Sequence, residues 1–503
     1  MSTLSQRLSE IWSLDPAATA VEFRKQPYTW GELRSAALEI DRLLNGAGLG
    51  KGAAIGVILR NRPGLVATIV GLIVSERCMV CINPHYPPQT LQAEIRNLNL
   101  AAIVADADDW AVPGVVDAAR SAGTLGLRLN HKDKAPAVDV VPGLEKPSAS
   151  EHKQVAEGIA LEILTSGTTG TPKRLQTKYP ALSDAILSSV RDDGPDGKPK
   201  LCAGGTMLSA PLVHVSGIFS LLYPLCEGRP ILLLEKFNVE EWVDTVRRHR
   251  IKFAALPPTA LRMVMDAQVP KEALSSLLAI RCGTAPLTPE NQKRFEDTYD
   301  IPVLVQYSAT EWIGGIAGWT IDEHRKYMPA KLGSIGRTHG GVKARAVDPD
   351  SGQELPPGQQ GVLEILPSKR FGPEATWNRT TDLASIDADG FIYIAGRADD
   401  VIIRGGLKVH LPAVAETLNQ HPSVKDSSVL GVPDERLGEV PVAAVELRPG
   451  QPVPTEEELR AFLRERLAPY QVPVRFKVVD ALPRTVSLKV TRPAVRALFE
   501  QAG

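Results

Sequence analysis

The sequence predicts an α/β protein, with a large N-terminal domain of layered βαβ sheets followed by a small, mobile C-terminal α+β domain. Three observations lead there. A chain of 503 residues is too long for one core and points to several domain-sized units. Through most of its length, apolar β-type runs alternate with helical patterns, which favours parallel sheets covered by helices on both faces. After residue 398 the elements become shorter and more mixed.

The elements follow in order. Residues 53–59 (AAIGVIL) predict a buried strand, 65–74 a buried helix and 80–82 a second strand. Residues 91–98 predict an amphipathic helix that leads into the strand-like AAIVAD, and the apolar segment 159–164 reads as another strand. Val239, Trp242, Val243 and Val246 share one helical face, and KFAALPP at 252–258 gives a strand ended by a rigid turn. FIYIAG at 391–396 is a strand, and the turn-rich GRADDVIIRGG begins where it ends. The boundary is therefore set at Asp399, dividing the chain into domains 1–398 and 399–503 with Asp399 as the swivel. Beyond it the sequence predicts a helix around 413–419, β-type runs SSVLGV and VAAVEL, and a helix opened by a capping box from Thr455 to Glu458.

Composition narrows the function. With 43% apolar residues, 23% charged residues and a net charge of -1, the chain offers no overall field for nucleic acid or acidic lipid. Neither a basic start followed by an apolar h-region nor a run of about 20 apolar residues is present, so the expectation is a cytoplasmic protein without a membrane partner. Five scattered cysteines fit a reducing compartment. Cys78 and Cys81 form a CxxC, but inside the apolar run CMVCINP, which predicts packing rather than metal binding.

Chemistry concentrates in LTSGTTGTPKR, residues 164–174. Gly167 and Gly170 free the backbone for positive φ, Thr165, Ser166, Thr168 and Thr169 supply hydroxyl donors, and Lys173 adds a positive charge, an inventory suited to cradling an anion. The run does not match the Walker pattern GxxxxGK[ST]. It is accompanied by YSATE (307–311), TTD (380–382), GRADD (396–400), RGGLK (404–408) and PRTVSLK (483–489). Together these motifs resemble the adenylate-forming superfamily of acyl-CoA synthetases, peptide-synthetase adenylation domains and luciferases, in order and over nearly the whole chain from YTWGELR at 28–34.

The resemblance implies roles. Residues 165–173, including Lys173, would hold the β- and γ-phosphates of ATP. Thr310 would sit at the α-phosphate and Glu311 at a Mg²⁺ ion, a hard cation that suits carboxylate oxygen. Asp382 would accept bonds from the ribose hydroxyls, Arg397 would assist from the hinge side, and Ala285, Pro286 and Tyr307 would line the adenine slot. His214, in PLVHVSG, occupies a position that lines the carboxylate pocket in acyl- and aryl-CoA synthetases, where peptide-synthetase domains commonly have an Asp. The acid pocket would also include Gly217, Trp312, Gly314 and Gly315, leaving room for a bulky or cyclic acid. Lys489 would stabilise charge at the reacting centre. Arg404, Gly405, Gly406 and Lys408 would face coenzyme A once the small domain turns about Asp399. The implied activity is an acyl-CoA ligase that joins a small carboxylic acid to coenzyme A through an acyl-adenylate.

The sequence departs from the family in three places. Leu488 replaces the glycine beside the lysine, Val486 removes a frequent proline, and Arg174 stands where glycine usually follows PK. All three are expected to disturb adenylation, which opens the alternative of a ligase that thioesterifies a preformed acyl-adenylate. Transfer to a carrier-protein phosphopantetheine and a silent nucleotide-binding protein are further alternatives.

Overall fold

The computed structural model describes residues 3–130, 136–149, 151–164, 174–188, 190, 198–308, 315–367, 376–485 and 488–500. The chain forms two compact units, Met1–Lys326 and Tyr327–Ser368 with Glu374–Gly503.

The first unit is the predicted layered α/β structure. Its largest sheet has seven strands in the order Ala137–Val140, Leu125–Asn130, Ala102–Asp106, Ala54–Ile58, Cys78–Ile82, Ile159–Leu164 and Arg174–Lys178. The five inner strands are parallel and the two outer ones antiparallel. Alternate residues enter different cores. Ile55, Val57, Met79 and Cys81 pack with the helices Leu4–Leu14, Trp30–Gly46 and Pro63–Val74, while Ala54, Ile58, Cys78 and Val80 pack with Pro88–Leu98 and Val115–Ser121. Burial on both faces explains why these strands read as continuous apolar runs. Each fully buried Ile or Val contributes about 1.5–3 kcal/mol. Cys78 and Cys81 thus point to opposite faces, both are free, and burial pushes the Cys78 thiol up to about 12. Packing is their role, as the sequence predicts.

Two further sheets complete this unit. One has the order Thr206–Leu208, Ile231–Leu233, Thr19–Phe23 and Gln26–Thr29. In the other, Phe253–Leu256, Ala279–Cys282 and Val303–Tyr307 run parallel, and Ala317–Gly318 joins antiparallel. Among the described residues no helix is long and apolar enough to cross a membrane.

The second unit is predominantly antiparallel. Lys343–Val347, Gly361–Leu366, Asn378–Ile386 and Ile392–Arg397 form one meander. A second sheet runs Leu407–His410, Val401–Arg404, Gly438–Leu447 and Val424–Asp434, with Arg475–Val479 added parallel to Gly438–Leu447. The capping box at Thr455 and Glu458 is present and opens the helix Glu456–Arg464. Compactness divides the chain at 326/327, whereas the composition shift suggests 398/399. The reason is local: residues 343–397 pair strand to strand through hairpins and add nothing to the parallel sheets.

Candidate active site

The expected phosphate loop connects two adjacent antiparallel strands, Ile159–Leu164 and Arg174–Lys178. Thr165, Ser166, Gly167, Thr168, Thr169, Gly170 and Lys173 lie outside the described residues, as do Thr310, Glu311, Trp312 and Gly314. The strands that carry the loop are well defined. Glu162, buried on the first strand, receives hydrogen bonds from Lys153 and from Gln176 Nε2 at 3.0 Å. Arg174, the first residue of the second strand, pairs with Glu94 of the helix Pro88–Leu98, donates from Nη1 to the Cys81 carbonyl at 3.2 Å and approaches Glu162 at 3.7 Å. Burial raises the Glu162 pKa, but the bonds and charges from Lys153, Gln176 and Arg174 outweigh it, leaving the carboxyl below its ordinary range. Arg174, expected to disturb adenylation, commits its guanidinium to three partners in the sheet and the helix Pro88–Leu98.

The adenine-slot candidates occupy the carboxyl ends of neighbouring parallel strands, where ligands bind in open α/β sheets. Tyr307 ends the strand Val303–Tyr307 and is half-buried; its carbonyl accepts from Ile316 N–H at 2.9 Å. Ala285 and Pro286 follow Ala279–Cys282. Gly283 between them lies so close to the next strand that a Cβ would stand 2.8 Å from the Gln306 carbonyl oxygen. Thr284 then adopts φ +70°, a left-handed conformation that is an outlier for a β-branched residue. Sequence reasoning missed it, although its place in CGTAPL, beside an unavoidable glycine, was a signal.

His214 is the N-cap of the helix Val215–Cys226, half-buried, with its carbonyl accepting from Ile218 N–H at 3.1 Å. The position lies at the positive end of the helix dipole, favourable to a carboxylate. The segment leading to it is fixed by Asn61, also missed in the sequence. Asn61 is buried; its side-chain amide donates to the Ala210 and Leu234 carbonyls at 3.1 and 3.0 Å, and its oxygen accepts from Leu212 N–H at 2.9 Å. Gly217 requires a correction. A Cβ there would lie 2.0 Å from the Pro211 oxygen and 2.9 Å from Leu212 Cα, so the space belongs to main chain and opens no pocket. At Gly315, by contrast, a Cβ would meet nothing within 4 Å.

In the second unit the ladder sets Asp382 directly opposite Arg397. Both are half-buried. Asp382 N–H donates to Thr380 Oγ1 at 3.0 Å, and that hydroxyl donates to the Leu363 carbonyl at 2.8 Å, so the TTD motif fixes its own aspartate. Residues 398–400 form a short 3-10 turn between the strand Ile392–Arg397 and Val401–Arg404. The side chain of Asp399 lies outside the description, while its neighbour Asp400 is buried and ion-paired with Arg492.

Gly405 and Gly406, at φ +55° and +85°, make the two-residue turn between Val401–Arg404 and Leu407–His410, as the primed hairpin turn requires. Lys408 is exposed on it, as are the apolar side chains of Ile403 and Leu407. Arg404, expected to face coenzyme A, instead donates from Nη1 to the carbonyls of Tyr470 and Val472 at 2.8 and 3.1 Å. It braces the hairpin from behind.

Lys489 closes another hairpin. Thr485 N–H donates to the Lys489 carbonyl at 2.7 Å, Leu488 N–H donates to the Thr485 carbonyl at 2.9 Å, and Arg484 pairs with Val490 in an antiparallel bridge. Arg484 anchors this hairpin to the sheet through the buried carboxylates of Asp426 at 2.5 Å and Glu446 at 3.6 Å. Burial of the half-exposed Lys489 ammonium pulls its pKa below the ordinary lysine value, and no carboxylate among the described residues opposes the shift. Leu488 holds φ +63°. A leucine therefore occupies the left-handed position where a hairpin of this kind places glycine.

Residues 9–366 match the AMP-binding enzyme family, and residues 413–489 its C-terminal domain. This chain belongs to the AMP-binding enzyme family. It is similar to 4-coumarate–CoA ligase 3 of Oryza sativa subsp. japonica, at 28% identity over 94% of this chain and 87% of that protein. It is also similar to 2-succinylbenzoate–CoA ligase of Geobacillus kaustophilus, at 29% identity over 99% of both chains. Its fold matches o-succinylbenzoate coenzyme A synthetase of Bacillus subtilis, solved with ATP and magnesium ion, at a TM-score of 0.75 and 23% identity over 97% and 99% of the two chains. Within this AMP-binding enzyme, Tyr307, Ala285, Pro286 and His214 belong to the first unit and Asp382, Arg397 and Lys489 to the second.

Proposed function

We propose that the protein is an AMP-forming acyl-CoA ligase. It joins a carboxylic acid to coenzyme A in two steps, with ATP and coenzyme A as co-substrates. The observation that carries the proposal is Lys489, a partly desolvated cation in a hairpin braced by buried carboxylates, in a chain of the AMP-binding enzyme family. The whole-length similarity to CoA ligases supports the acceptor. In the first step a carboxylate oxygen attacks the α-phosphorus of ATP, the bond to the β-phosphate oxygen breaks, and pyrophosphate leaves. The Lys489 ammonium stabilises charge developing on the acid and phosphate oxygens. Asp382 holds the ribose hydroxyls with Arg397 beside it, Tyr307, Ala285 and Pro286 hold the adenine, and Thr310 contacts the α-phosphate. His214 lines the acid pocket with Gly315, Trp312 and Gly314.

A Mg²⁺ ion suits Glu311 together with phosphate oxygens, because Mg²⁺ is commonly bound through one or two carboxylates plus substrate phosphates; it would offset the charge of the departing pyrophosphate. Among the described residues no group of three or more His, Cys, Asp or Glu side chains could hold a metal ion. In the second step the thiol of coenzyme A attacks the acyl carbonyl, loses its proton and expels AMP. A pivot at Asp399 would present the Val401–Arg404 and Leu407–His410 hairpin, whose exposed Ile403 and Leu407 suit an apolar pantetheine wall and whose Lys408 suits an anionic end. The five free thiols fit a reducing, cytoplasmic setting.

A second reading is favoured by Leu488. Its left-handed backbone strains the hairpin that delivers Lys489, so the enzyme would thioesterify a supplied acyl-adenylate faster than it makes one. The test is a panel of acids assayed separately for pyrophosphate release and acyl-CoA formation, with synthetic acyl-adenylates in parallel. Acyl-CoA from either source supports the ligase; AMP release without coenzyme A dependence would defeat it.

A further inference from the structure

Arg174 stands at the exit of the phosphate loop, where the family motif ends in glycine. Its surroundings form one braced unit. Glu162 lies two residues before the end of the strand that enters the loop, and Gln176 lies two residues beyond Arg174 on the strand that leaves it; the two face each other in the ladder, as do Leu164 and Arg174. Glu162 is almost wholly buried, at 1% exposure, and is shared among Lys153, Gln176 and Arg174. Arg174 reaches a third element through Glu94 on the helix Pro88–Leu98, and a fourth through the Cys81 carbonyl on the strand Cys78–Ile82. The backbone ladder holds the two stems to each other, and the Arg174 guanidinium adds side-chain ties that run across them, to Glu162 on the entering stem and to Glu94 on the helix.

We infer that Arg174 is a positioning residue for the phosphate loop: through Glu162 and Glu94 it fixes the two stems from which residues 165–173 grip the β- and γ-phosphates. This rests on the assignment of that loop to triphosphate. Glycine at this position would make none of these contacts, whereas arginine ties the outgoing stem to the sheet and helix. The consequence is selective. AMP and acyl-AMP carry no β- or γ-phosphate, so their binding does not depend on the brace, while ATP binding does.

The test measures direct binding of ATP and of AMP to the full-length protein carrying Arg174→Met, Arg174→Lys or Glu94→Gln. The expected result is an ATP dissociation constant raised about tenfold or more by Arg174→Met, with AMP binding and thioesterification of supplied acyl-AMP unchanged. Arg174→Lys should recover part of the loss, and Glu94→Gln, which keeps Arg174 in place, should show a smaller loss of the same selectivity. Combining Glu94→Gln with Arg174→Met should cost less than the sum of the two, as expected for partners in one network. Equal weakening of ATP and AMP would reduce Arg174 to a general structural residue and overturn the inference, as would unchanged ATP binding. If Arg174→Met does not fold, Glu94→Gln decides on the same criterion. Wild-type protein that binds AMP but not ATP would overturn the triphosphate assignment and this inference with it, leaving the thioesterification reading standing.

Discussion

Among the described non-glycine residues with left-handed backbone, Arg24 and Lys25 form the turn between two strands, and Glu76, Asn99, Arg250, Gln268 and Asp300 lie at or just past helix ends. Thr284 and Leu488 remain, and both sit in motifs proposed to handle the nucleotide; functional sites are where backbone strain clusters. The left-handed conformation costs an L-residue about 1–2 kcal/mol. Leu488→Gly should therefore raise stability modestly, the gain being reduced by the extra entropy of glycine in the unfolded chain. It should also raise the adenylation rate by about 10²–10³ if the relaxed hairpin lets Lys489 contact the reacting centre. Pyrophosphate release by the variant, with thioesterification of supplied acyl-adenylate as the control, reads this; unchanged adenylation would mean that Leu488 is accommodated without functional loss. At Asp382 the expectation differs, since the proposed ribose contact would serve both steps. Asp382→Ala should weaken ATP and acyl-AMP alike by about 1.5–3 kcal/mol, the value of a hydrogen bond to a charged group, and selective weakening of one would reject the ribose assignment.

At the scale of elements, the Lys489 hairpin has a pH signature. If the adenylation step uses the Lys489 ammonium as proposed, its rate should fall as pH rises through a lysine pKa lying below the ordinary value, while thioesterification of supplied acyl-adenylate should lack that limb. For stability the sign is opposite: between the lowered and ordinary pKa the unfolded chain holds more protons than the folded one, so stability from this group is present above the ordinary lysine value and is lost as pH falls through the lowered one. A separate stopped-flow pH profile for each half-reaction checks the first statement. The buried strands and helices of the first unit were legible because burial on both faces writes apolar runs at 54–58, 78–82 and 102–106 into the sequence. The meander from Lys343 to Arg397 was not, because half-exposed strands such as Asn378–Ile386 carry a weak apolar alternation. Of the candidate site, the motifs name Asp382 and Arg397, which the ladder sets opposite each other. The site was not legible where partners come from distant segments, since nothing near Arg404 signals the carbonyls of Tyr470 and Val472, or where the fold of a short motif decides, since the residue order of PLVHVSG does not show that the Pro211 carbonyl fills the side-chain space of Gly217.

For the molecule as a whole, the candidate residues are divided between two compact units, with His214 and Tyr307 in one and Asp382, Arg397 and Lys489 in the other. Two reactions at one acyl group require different groups at it, a cation during adenylation and a thiol-admitting surface afterwards. Movement about a short backbone segment can supply both. The 3-10 turn at 398–400 suits that segment although it lies inside the second unit: it links the end of the Lys343–Arg397 meander to the first strand of the next sheet, so a pivot there would move Lys489 relative to Asp382 and Arg397. Replacing Asp399 by Pro would fix φ there and should leave one half-reaction preferentially active; equal loss of both, or retention of both, would place the pivot elsewhere. The unmodified enzyme then decides between its two readings. A strained Lys489 hairpin predicts that acyl-CoA forms faster from supplied acyl-adenylate than from acid and ATP. Pyrophosphate release at an ordinary turnover of about 1–10³ s⁻¹ with a cognate acid, no slower than thioesterification, would show that Leu488 leaves the first step intact and that the protein is a conventional two-step ligase.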